Sequence, residues 1–128
     1  MLNLFVSEHT NLSHCVRSAM KLYIYHGLDD EKDPRDVTHV FTDNNVTIIK
    51  KEALDKCKHL LYLIMGENVK IVQEYAFFDC RALRFIRLPK TLEYIGTCAF
   101  ICCESLETLF LPSTVKSIDI GHSMIVDH

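Results

Sequence analysis

From Val46 onward the chain repeats itself every 23 residues, and this period limits the possible folds more than any single motif does. Units begin at Val46, Val69, Leu92 and Val115. The second reads VKIVQEYAFFDCRALRFIRLPKT and the third LEYIGTCAFICCESLETLFLPST, with identity at seven positions. The shared residues are Ala76 and Ala99, Phe77 and Phe100, Cys80 and Cys103, Leu83 and Leu106, Leu88 and Leu111, Pro89 and Pro112, and Thr91 and Thr114. The first unit keeps Ala53, Cys57 and Leu60 in register and places Leu54, Leu63 and Met65 where the others carry Phe, Ile or Leu. So short a unit has only a narrow apolar stripe and cannot close a core alone. Neighbouring units must stack to bury it, which predicts a solenoid.

Within a unit the periodicity changes, and the changes assign its parts. In Leu83 to Leu88 the repeated apolar positions are Leu83, Ile86 and Leu88, the pattern of a short strand entered by a turn. Pro89 or Pro112 then ends the strand, because proline has no N–H to give to a ladder. The segments Lys50 to Cys57, Gln73 to Cys80 and Gly96 to Cys103 carry an alanine and a large apolar residue in mid-segment, compatible with one or two turns of helix. A second brief extended stretch, such as Val69 to Val72, links the two parts.

The patterns L-x-x-I-x-L-P at Leu83 to Pro89 and A-F-x-x-C-x-x-L at Ala76 to Leu83 resemble leucine-rich repeats of the BspA-like type. The resemblance covers Val46 to Ile118, and Asp36 to Thr42 looks like the strand half of one earlier, degenerate unit. It implies a leucine-rich-repeat solenoid of short parallel strands with brief helical turns, a scaffold rather than an activity.

The ends depart from the pattern. After Ile118 the expected alanine, phenylalanine and cysteine positions fall on His122, Ser123 and Val126, so the fourth unit is predicted to end as a partial turn. Leu22 to Tyr25 alternates like an edge strand, and Leu28 to Asp36 is a charged loop. Residues 1–36 read as an N-terminal cap and residues 37–128 as the solenoid, in one domain overall, since end units need a different outer face to stay soluble.

Charge and hydropathy narrow the function. The 128 residues are 48% hydrophobic with a net charge of −3, as expected of one soluble domain with a sizeable core. Acidic residues divide 9 and 8 between the halves and basic ones 8 and 6, so no basic face suggests a nucleic-acid or membrane partner. The longest apolar run, Leu60 to Met65, is far below the roughly 20 residues of a membrane span. Met1 to Thr10 lacks the basic start and long apolar stretch of a signal peptide, and a cytoplasmic setting is the default.

Six cysteines invite a disulfide or zinc reading, but Cys57, Cys80 and Cys103 share one repeat position and are expected to form a buried ladder instead. Cys98 and Cys102 replace Tyr75 and Asp79 of the preceding unit and are expected nearer solvent. The seven histidines include no HExxH and no zinc-finger spacing, and His39 falls on a predicted strand. The run Asp29-Asp30-Glu31-Lys32-Asp33 lacks the glycine and terminal glutamate of a calcium loop. Asn11-Leu12-Ser13 and Asn45-Val46-Thr47 fit the glycosylation sequon, which matters only in a secreted chain. No phosphate loop, nucleophile elbow or catalytic triad order stands out, so neither an enzyme nor a cofactor is expected.

The strand face is more telling. If Leu60, Leu63 and Met65 point inward, with Leu83, Ile86 and Leu88 and then Leu106, Leu109 and Leu111, the intervening residues point outward on the concave side. One outward column reads Thr38, Leu61, Arg84, Glu107; the next His39, Tyr62, Phe85, Thr108; the third Phe41, Ile64, Arg87, Phe110. Aromatics beside arginines are the composition of interface centres. Tyr62, Ile64, Arg84, Phe85, Arg87 and Phe110 are therefore the candidate partner-binding residues of a noncatalytic protein-binding module. The alternative is a structural segment that self-associates through its open C-terminal end.

Overall fold

The structure is a computed structural model and describes residues 19–31, 34–118 and the backbone of 126–127. Each 23-residue unit contributes one coil with three sides, and the sides stack on their counterparts in the next coil except at one break in the first sheet. The first side is a parallel sheet in the order β1 (Leu22–Tyr25), β2 (His39–Thr42), β4 (Tyr62–Ile64) and β6 (Phe85–Arg87). Its register aligns His39 with Tyr62 and Phe85, Val40 with Leu63 and Ile86, and Phe41 with Ile64 and Arg87. The expected edge strand at Leu22 to Tyr25 is β1, which pairs with β2 alone among the described strands.

The linking stretches form a second parallel sheet: β3 (Ile48–Ile49), β5 (Ile71–Val72), β7 (Tyr94–Ile95) and β9 (Ser117–Ile118). One residue of each pair, Ile49, Val72 and Ile95, is buried while its predecessor faces outward, the alternation of a half-buried strand.

The third side corrects the expectation of helical turns. No helix forms among the described residues; Lys50 to Cys57 and its counterparts are tandem tight turns. Glu52, Lys56, Tyr75, Asp79, Cys98 and Cys102 all have positive φ, between 56° and 62°. The N–H groups of Ala53, Ala76 and Ala99 close turns onto the carbonyls of Lys50, Gln73 and Gly96. Alternate N–H groups point along the solenoid axis instead of back down a helix: Glu52, Leu54 and Lys56 donate to the carbonyls of Glu74, Ala76 and Phe78 at 3.2, 2.8 and 2.6 Å. Tyr75, Phe77 and Asp79 repeat this one coil on, donating to Thr97, Ala99 and Ile101. A segment of eight residues makes a costly helix nucleus, and pairing with the neighbouring coil satisfies the same donors.

The core lies where the three sides meet. Leu60, Leu63, Met65, Leu83, Leu109 and Leu111 are buried as expected, together with Phe77 and Phe100, whose rings stack at 5.2 Å. Cys57, Cys80 and Cys103 form the expected buried ladder, their thiols donating to the carbonyls of Pro34, Leu54 and Phe77. Ile86, Leu88 and Leu106 pack against the core but remain partly exposed. The cause is a break in the first sheet: β8 (Leu109–Phe110) pairs with β10 (Val126–Asp127) and not with β6. The second sheet continues unbroken past this level, through the pairing of β7 with β9.

The fourth-unit positions His122 and Ser123, the sequon at Asn11, the tips Met1 to Thr10 and His128 lie outside the described residues, as do Lys32 and Asp33 of the acidic run. The Val126 position belongs to β10.

Candidate interaction surface

The register of β2, β4 and β6 fixes what the outer face of the first sheet presents. Side chains alternate across a strand, so with Val40, Leu63 and Ile86 turned toward the core, the residues on either side face outward. His39, Tyr62 and Phe85 stand in one column whose rings stack in parallel. The His39 and Tyr62 centroids are 4.6 Å apart and those of Tyr62 and Phe85 4.5 Å, both at 12° between planes. These distances match the roughly 4.8 Å between paired strands, so the backbone spacing itself sets the stack.

The stack becomes more open along its length. His39 and Tyr62 are half-buried, and burial pulls the His39 imidazole below its ordinary pKa, favouring the neutral ring; its Nδ1 lies 2.8 Å from the Thr38 hydroxyl. Phe85 ends the stack with 50% of its surface exposed, because the next residue in the column is Thr108.

Beyond Phe85 the break between β6 and β8 opens a groove of about 450 Å³. All six candidate residues line it: Tyr62, Ile64, Arg84, Phe85, Arg87 and Phe110, together with Ile86 and Thr108. Phe110 is 69% exposed. Arg87 reaches Glu67 at 3.5 Å, but both side chains are two-thirds exposed, and such a pair holds the guanidinium only weakly. Glu107 lies beside Arg84 and Phe85 in the adjoining part of the groove. Because β6 and β8 do not pair, these residues come together around a cleft rather than on a continuous sheet.

No group of His, Cys, Asp and Glu among the described residues is arranged to hold a metal ion. No helix among them is long and apolar enough to cross a membrane. Cys98 is half-buried and Cys102 exposed, and both occupy positive-φ corners of the turn side, away from the groove.

A family model for the BspA type leucine rich repeat region matches residues 33–122 with six copies. The chain belongs to this family. Among solved structures, the BspA-type solenoid is similar to that described as the crystal structure of T. pallidum Leucine Rich Repeat protein (TpLRR). The identity is 24% and the TM-score 0.64, over 77% of this chain and 45% of the other. The chain thus spans less than half the length of that relative, and the likeness is one of fold. No curated protein sequence matches the chain. BspA-type repeats are a leucine-rich-repeat scaffold, a class that generally serves protein interaction rather than catalysis.

Two features of the surface were not legible in the sequence. The outward columns could be written down, but not the opening between β6 and β8, because Leu106, Leu109 and Leu111 keep the repeat pattern through the level where pairing stops. The contribution of His39 to the ring stack was also missed; its place in the column with Tyr62 and Phe85 was the available signal.

Proposed function

We propose that this BspA-type repeat chain is a noncatalytic binding module that holds another protein on the outer face of its first sheet, through Tyr62, Ile64, Arg84, Phe85, Arg87 and Phe110. The observation that carries the reading is the convergence of these six side chains, from three successive units, around one groove. Two of them, Phe85 and Phe110, are large apolar groups left half or more exposed, whereas Phe77 and Phe100 at the repeated turn-side position are buried. Exposed aromatics flanked by arginine form interface centres because the rings give large desolvated area at low entropic cost and guanidinium reads carboxylates. Residues 1–36 would then serve as the cap that closes one end of the solenoid formed by residues 37–128. The free thiols of Cys57, Cys80, Cys98, Cys102 and Cys103 fit a reducing, cytoplasmic setting.

The test is titration of a recovered partner against the parent, against alanine at Phe85, and against Glu74→Lys on the turn side. Alanine at Phe85 is expected to weaken binding by at least about 2 kcal/mol, as a central hot spot would, with Glu74→Lys neutral. The converse result places the binding surface on the turn side and overturns the reading. Sedimentation over a range of concentrations checks the self-association alternative, which is favoured if mass rises with concentration through loss of the monomer.

A further inference from the structure

The edge of β6 that faces the groove has no strand partner among the described strands. We infer that the groove takes an extended acidic peptide segment of the partner, which adds a strand to the edge of β6 and places an aromatic side chain on the free face of Phe85. This deepens the strand-face reading above and rests on it.

Three observations support it. The first is the backbone. Phe85 donates to Leu61 and Arg87 accepts from Met65, so both residues direct their polar groups toward β4. In a parallel strand the residue between them directs its N–H and C=O to the opposite side, which makes Ile86 the pairing point toward β8. β6 pairs only with β4 among the described strands, so Ile86 presents a donor and an acceptor to the groove. Strand addition at such an edge draws affinity from main-chain bonds and specificity from alternate side chains.

The second is the ring stack. His39, Tyr62 and Phe85 follow one another at 4.6 and 4.5 Å, and Phe85 is the last ring, with half its surface exposed and Thr108 beyond it. A strand seated on β6 brings its own side chain to the next position of this column, where an aromatic ring continues the stack at the same spacing.

The third is charge. The groove around Tyr62, Phe85 and Phe110 is lined by Arg84 and Arg87, in a chain whose net charge is −3; Glu107 stands in the adjoining part, and the exposed pair of Arg87 with Glu67 at 3.5 Å holds the guanidinium only weakly. Arg87 lies two residues from Phe85 and so on the same face. The segment that fits carries an aromatic residue and an Asp or Glu two positions apart.

The test is selection of a phage-displayed random peptide library on the intact chain, followed by titration of the enriched peptides. The expected result is enrichment of an aromatic residue with a carboxylate two positions away. Replacing that aromatic by alanine, N-methylating the residue whose N–H meets the Ile86 carbonyl, Phe85→Leu, or Arg87→Glu should each weaken binding at least tenfold. Phe85→Leu keeps the apolar bulk and removes only the ring face, and an unchanged melting temperature shows that the variant is folded. Phe41→Ala, outside the groove, should leave binding unchanged. Absence of such enrichment overturns the inference, as do enriched peptides that bind Phe85→Leu and Arg87→Glu like the parent. If those peptides instead lose binding with Phe41→Ala, the strand-face reading stands and strand addition fails. If they respond only to Glu74→Lys, both fail.

Discussion

The thiol of Cys80 donates to the carbonyl oxygen of Leu54 at 3.1 Å, across 26 residues and one full coil, and Cys103 does the same to Phe77 at 3.2 Å. Cysteine recurs at this position because a small apolar group fits the crowded interior while its weak donor satisfies a carbonyl left over by the tight turns. Serine can make the same bond at a greater desolvation cost, so Cys80→Ser should lower stability by about 1–3 kcal/mol. Aspartate brings a buried charge without a cation, and Cys80→Asp should cost several kcal/mol more than the serine change and prevent stable folding. Urea unfolding followed by circular dichroism checks both; an aspartate variant as stable as the parent contradicts the buried register.

Alkylation should divide the cysteines by position. The neighbouring Cys57 side chain and burial raise the Cys80 thiol, and burial pushes the Cys103 thiol up to about 12, so neither forms thiolate near neutrality. Because only the thiolate reacts, iodoacetamide at pH 8 should modify Cys102 and then Cys98 in the native chain and reach Cys57, Cys80 and Cys103 only in denaturant. Peptide mapping by mass spectrometry reads the order. Native labelling of Cys80 as fast as Cys102 contradicts the ladder.

The corners of the turn side predict an unusual gain from glycine. Lys56 is exposed, has a φ of 60°, and uses its N–H to reach Phe78. Left-handed backbone costs a non-glycine residue roughly 1–2 kcal/mol, which exceeds the added flexibility glycine gives the unfolded chain. Lys56→Gly should therefore raise stability by about 0.5–1 kcal/mol, and Lys56→Val, whose branched Cβ crowds this conformation, should lower it by about 1 kcal/mol or more. Thermal melts of the pair test the turn assignment, since a true helix would order them the other way.

The repeat made the solenoid, the inward leucines and the cysteine ladder readable because each rests on residue type recurring at 23-residue spacing. Helical turns were expected at Gln73 to Cys80 because an alanine and a large apolar residue in mid-segment are compatible with them, and nothing local in Tyr75 announces positive φ. That conformation is selected by hydrogen bonds to Thr97 and Ile101, which belong to the next unit and have no local signature. Phe85, Arg84 and Arg87 could be placed on the outer face by alternation alone. The groove beside them depends on whether two strands with the same pattern pair, and apolar periodicity does not encode that.

One ring stack, Phe77 on Phe100, builds the core, and another, His39, Tyr62 and Phe85, stands on the outer face proposed for a partner. Phe77 is fully buried and stacked on Phe100, whereas Phe85 leans on Tyr62 with half its surface open. Denaturant titration of Phe77→Ala and Phe85→Ala side by side tests this most directly. The predicted losses are about 3–5 kcal/mol for Phe77 and under about 1.5 kcal/mol for Phe85. Equal losses at the two positions would contradict the division between core and surface.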